Sequence, residues 1–142
     1  MFYDPDGNQI DRDKWGELFN TRFENNLVWQ TKKQAKVINL FGREFEISPS
    51  WFVSTIWFGV NYNISGVGPP IIFESMIFGG LYDDFTYRYA TKEEAKAGHE
   101  ILVKKHRNPL YWLKWVFLKK SFKRERKWKD LAVVEESQKF FL

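Results

Sequence analysis

The run Trp51-Phe52-Val53-Ser54-Thr55-Ile56-Trp57-Phe58-Gly59-Val60 constrains the fold more than any other stretch of the chain. It is dense in β-branched and aromatic side chains, which suit a pleated surface. The flanking sequence supplies partners for such a strand. Lys36 to Leu40 and Arg43 to Ile47 enclose Phe41-Gly42, the pattern of a hairpin. Ser48-Pro49-Ser50 then breaks the chain. A loop from Asn61 to Gly68 follows the central run, and Pro69-Pro70 closes it. Ile71 to Phe78 reads as the next strand, because proline is tolerated where a strand begins. Gly79-Gly80 ends that strand, and Phe85 to Tyr89 alternates as a further one.

Helices follow the strands. Thr91-Lys92-Glu93-Glu94 is a capping box, in which the Thr91 hydroxyl accepts from the Glu94 amide and the Glu94 carboxylate accepts from the Thr91 amide. The helix should run to about Arg107. Asn108-Pro109 stops it and starts another, since Asn caps and Pro fits a first turn. Gly98 inside the first helix costs roughly 1 kcal/mol against Ala, which points to close approach of the helix to the sheet. At the other end, Tyr3 to Asn8 is a turn, and Trp15, Leu18 and Phe19 lie at helical spacing between Asp11 and Phe19.

Strands first and helices after predict an α+β fold. The expected form is an antiparallel sheet of about five strands with two C-terminal helices packed on one face. The 142 residues form one domain, with a turn and short helix over 1–30 and the sheet over 35–90. The first C-terminal helix covers 91–107, a basic helix 109–129, and 130–142 is a tail without a clear signal. Twenty-seven aromatic rings, each able to bury roughly 150–250 Å², make disorder a poor description of most of the chain.

Composition removes several functions. The absence of cysteine excludes a disulfide framework and a thiolate zinc site. No apolar run approaches the ~18–20 residues of a membrane span. The polar N-terminus has no apolar core of a secretory signal. A soluble, cytoplasmic protein is expected.

No catalytic constellation is apparent, so a non-enzyme is expected. His99 and His106 lie seven residues apart on one helix face. With Glu94 or Glu100 they could approach a metal, but HExxH spacing is missing. They read as ordinary helix-surface residues, and no metal is expected. Gly66-Val67-Gly68 lacks the pattern that cradles phosphate and opens a helix, so no cofactor is expected. Glu74 interrupts an apolar strand and shares a face with Ile72, Met76 and Phe78. A partly buried carboxylate there calls for Arg88 or Arg43 as its partner.

Charge is distributed unevenly. Residues 104–129 hold 11 basic and one acidic residue, net +10, while the rest carries 11 basic and 17 acidic, net −6. Lys119, Lys120, Lys123, Arg124, Arg126, Lys127 and Trp128 are therefore the candidate contact residues for a partner protein or a nucleic acid. The alternative is a packed helix whose charges are solvated, with Lys and Arg stems over apolar surface. Binding of a small anionic nucleotide signal is a further reading. Arg88, Tyr62 and the Gly66 to Gly68 loop would form its lip, and Trp57, Asn61, Glu74 and His99 would complete the pocket. Exposed aromatics on an edge strand would also allow a homodimer.

Three blocks carry a resemblance. They are Ser54-Thr55-Ile56-Trp57-Phe58-Gly59-Val60-Asn61-Tyr62, then Pro69-Pro70-Ile71-Ile72-Phe73-Glu74-Ser75-Met76-Ile77-Phe78-Gly79-Gly80, then Arg88-Tyr89-Ala90-Thr91 through His99-Glu100. In this order they resemble a family of small bacteriophage and prophage proteins with the pattern STVWLGLDH, PPLIFETMVFGG and RYATxEEALxGHE. The likeness covers about residues 53–103, and Tyr3-Asp4-Pro5-Asp6-Gly7 is similar to the start of some members. It implies a phage origin and a role in the infected bacterial cell, and it brings no activity. The family's Asp-His pair is Asn61-Tyr62 here, which favours a structural or binding role for that position. The resulting expectation is an accessory protein that binds and modulates a host macromolecule, such as a defence or transcription component.

Overall fold

In the computed structural model, which describes residues 1–118, strands precede helices and every strand pairing is antiparallel. The chain runs through β1 (Phe2–Tyr3), β2 (Gln9–Ile10), α1 (Arg12–Asn20), β3 (Val28–Lys33), β4 (Lys36–Leu40) and β5 (Arg43–Ser48). It continues through β6 (Trp51–Trp57), β7 (Phe73–Phe78), β8 (Thr86–Tyr89), α2 (Lys92–Arg107) and α3 (Pro109–Leu118). The fold is α+β. No helix of the described residues is long and apolar enough to cross a membrane.

Among the described residues the main sheet has four strands, in the order β3-β6-β7-β8, where about five were expected. Two differences account for this. Val28–Lys33 is a strand that alternation of Val28, Gln30 and Lys32 outward with Trp29 and Thr31 inward conceals as a mixed polar segment. The β4–β5 hairpin, expected within the sheet, forms a sheet of its own. Lys33 faces Trp51 and Lys36 faces Ser48, so both ladders share one register. The hairpin is thus the far end of a long β3–β6 ribbon. Pro49 has no amide hydrogen to continue the ladder, and a bulge follows at Lys36/Val37. The arm has no β7 beside it, because β7 pairs with β6 only from Phe52 to Trp57.

Strict alternation on β6 buries Trp51, Val53, Thr55 and Trp57 and leaves Phe52, Ser54 and Ile56 on the other side. The buried side faces α2, whose Ala95, His99, Leu102, Val103 and His106 repeat at helical spacing. Both halves of the expected capping box are formed, each at 3.2 Å. Gly98 lies against Tyr89, where a Cβ would collide with the phenol hydroxyl.

α2 lies over the main sheet, in contact with β3, β6, β7 and β8. Asn108 caps α3 by accepting from the Leu110 amide at 3.0 Å. From there α3 packs on β5 and the end of α2. Its Tyr111 hydroxyl accepts from the Leu81 amide at 2.9 Å, and burial pushes that phenol's pKa up to about 12.

Candidate functional site

Three places could carry function, and each follows from the strand register. The first is a polar seam under α2. The inward positions of neighbouring strands place Thr31 of β3, Thr55 of β6 and Ser75 of β7 beneath the helix. Thr55 Oγ1 lies 2.6 Å from Ser75 Oγ and 2.9 Å from Nδ1 of His99. Thr31 Oγ1 lies 2.9 Å from Nε2 of the same ring. Ser75 also bonds the Tyr89 hydroxyl, whose pKa burial raises to about 12.

A hydroxyl can donate or accept, so these two partners satisfy neutral His99 in either tautomer. Burial holds its pKa below the usual histidine value, against the opposing pull of Glu100. Thr55 and Ser75 have no exposed surface, so neither of these two hydroxyls reaches a substrate, whereas Thr31 is half-buried at the edge of the sheet. Its chemistry is to fix α2 on the sheet.

The expectation that both histidines lie on the surface is wrong. His99 is 6% exposed and His106 is fully buried. Residue 99 belongs to the 95–102–106 stripe, and a seven-residue spacing puts both rings on that packed side. His106 stands among the rings of Trp51, Tyr82 and Tyr111, at centroid distances of 5.3, 5.6 and 4.9 Å. Its Nδ1 donates to the Leu102 carbonyl at 2.7 Å. Burial lowers its pKa, Leu102 raises it and Lys105 lowers it further. Among the described residues no three His, Asp or Glu side chains gather as a metal site.

The second place is the outer face of the sheet. Phe52 and Phe78 are directly paired and stack at 5.7 Å. Arg88 Nε lies 3.0 Å from Glu74 Oε2, resolving which arginine pairs with that carboxylate. The Arg88 guanidinium also covers the Tyr62 ring at 4.3 Å. Burial raises the Tyr62 pKa, Glu74 adds to this and Arg88 opposes it.

The sequence-derived pocket is therefore split. Tyr62, Glu74 and Arg88 come together on the outer face, whereas Trp57 is buried in the core and His99 sits beneath α2. Asn61 holds the loop, its Oδ1 accepting from the amides of Asn63 at 2.8 Å and Ile71 at 2.9 Å. Lys119, Lys120, Lys123, Arg124, Arg126, Lys127 and Trp128 lie outside the described residues.

The third place, which the sequence reading missed, is the tip of the β4–β5 arm. Leu40 faces Arg43 across the two-residue turn Phe41-Gly42. Both turn residues have positive φ, 54° at Phe41 and 73° at Gly42, which is the type I′ hairpin geometry. Position one of such a turn favours Asn, Asp or Gly. The other non-glycine residues with positive φ among those described are Asn26 and Asp84, whose short polar side chains suit that region. Phe41 is neither small nor polar, and it is fully exposed.

Below the tip, Ile38 and Phe45 are paired on one face, with Leu40 beside them. Leu40 and Phe45 are about half exposed. The opposite face carries Asn39, Glu44 and Glu46 with Val37. The signal in the sequence was the turn itself, a phenylalanine where the geometry asks for asparagine.

Comparison with protein-family models, curated proteins and solved structures finds no match.

Proposed function

We propose that this chain is a protein-binding accessory protein, without catalysis of its own, that docks through the β4–β5 arm with Phe41 as its anchor. The carrying observation is Phe41 itself. A left-handed backbone costs an ordinary side chain roughly 1–2 kcal/mol, and Phe41, fully exposed, gains no packing from the described residues in return. An aromatic ring offered at the end of a narrow arm is suited to an apolar cleft on another molecule.

Charge favours a protein as the occupant. Residues 36–48 carry Lys36, Arg43, Glu44 and Glu46, so the arm is neutral. Nucleic-acid affinity rests largely on neutralising phosphates, for which a neutral arm is poorly suited. The resemblance over residues 53–103 supports a phage setting, in which the partner is a host protein. A second copy of the chain is the competing occupant, read from the oligomeric state in solution. Phe41→Asn tests the proposal, because it should ease the turn while removing the anchor. Unchanged capture of partner by that variant would sink the assignment.

Nucleic-acid binding through residues 104–129 is a second reading, supported by their net charge of +10. It predicts affinity that falls steeply with salt and is lost in Lys123→Glu with Arg126→Glu.

A further inference from the structure

We infer that the groove between α2 and the edge strand β3 binds a small phosphate monoester, of the class of nucleoside monophosphates. The groove has a volume of about 340 Å³ and is lined by Thr31, His99, Glu100, Val103, Lys104 and Arg107. That places it at the small end of the ~300–1,000 Å³ usual for ligand clefts. It opens at the side of the sheet because β3, among the described residues, has a strand neighbour only in β6.

Lys104 and Arg107 sit one helical turn apart on its rim, so they flank the same space. No described residue pairs with either of them. An arginine fork and a lysine point charge are together the usual means of holding a phosphate. The last turn of α2 carries partial negative charge, which works against an anion. Attraction therefore comes from the two side chains and not from the helix.

The inner wall is mixed. Val103 gives an apolar contact, while the Thr31 hydroxyl and the His99 ring give polar ones. Such a surface suits a sugar or a ring attached to the phosphate better than a free inorganic ion. Glu100 stands one turn before Lys104 and leaves the three rim charges at +1, which disfavours longer polyphosphates.

This site is separate from the outer-face cluster first considered for an anion. There Arg88 is already held by Glu74.

The test uses the full chain, with AMP, inorganic phosphate and adenosine as probes, followed by calorimetry and by NMR. The expected result is that AMP binds and moves the amide signals of Thr31 and residues 99–107 together with the His99 ring signals. Adenosine should leave them in place. Lys104→Gln combined with Arg107→Gln should weaken AMP at least about tenfold, the effect of losing a charged hydrogen bond. Both side chains are exposed, so the melting temperature should not change. AMP that leaves these signals unmoved at millimolar concentration would overturn the inference. So would undiminished AMP binding by the double variant, or equal binding of adenosine. Phe41→Asn should bind AMP normally, which keeps this result independent of the docking arm.

Discussion

Thr55 Oγ1 lies 2.9 Å from Nδ1 of His99, joining the centre of the sheet to the middle of α2. The ring sits in a buried place, where burial disfavours its charged form.

Acid should therefore weaken the fold. Burial depresses the folded-state pKa of both His99 and His106 below the ordinary value of 6.5. The unfolded chain then binds more protons than the folded one between those depressed values and 6.5. Stability is fully present above about pH 6.5 and falls as the pH drops from there toward the folded-state pKa values. Urea midpoints measured between neutral and mildly acidic pH should decline over this window. The decline should shrink in His99→Gln, which cannot take up the proton. A flat profile through the window would contradict the buried, neutral state of both rings.

Two glycines in helices should respond with opposite signs. Gly16 in α1 has nothing within 4 Å of where a Cβ would sit, so Gly16→Ala should stabilise by roughly 0.5–1 kcal/mol. The same Cβ at Gly98 would meet the Tyr89 ring and hydroxyl. Gly98→Ala should lose about 1–3 kcal/mol through overpacking, despite the gain in helix propensity. Thermal unfolding of the two variants side by side reads the difference in sign.

The turn at Phe41 makes a prediction about stability that needs no partner. Asn accepts φ near 54° more readily than Phe, and Phe41 makes no burial that would be lost. Phe41→Asn should raise stability by roughly 0.5–1 kcal/mol. A lower denaturant midpoint would mean that Phe41 supports the fold, and the argument for a docking role would fail.

Much of the architecture was legible in the sequence because it rests on local rules. The Phe41-Gly42 turn, the Thr91–Glu94 capping box, the Asn108-Pro109 junction and the crowded Gly98 each have a near-neighbour cause. That Glu74 needs an arginine partner was legible from its apolar neighbours, and the facing strand positions decide for Arg88 over Arg43. What escaped depends on tertiary placement. Val28–Lys33 has outward positions that read as a polar loop until β6 is placed beside it. The histidines look like surface groups until Thr31 and Thr55 are known to lie beneath α2. The arm could be foreseen as a hairpin but not as an overhang, because that depends on where β7 stops pairing.

Anchoring of a protein partner by Phe41 is measured by capture from nuclease-treated bacterial lysate with three tagged full-length chains: wild type, Phe41→Asn and Phe23→Asn. Phe23 is 59% exposed in the turn after α1 and serves as the control ring. One host protein should be retained by wild type and Phe23→Asn, be lost by Phe41→Asn, and bind purified wild type directly. The same proteins retained by all three chains would contradict anchoring by Phe41.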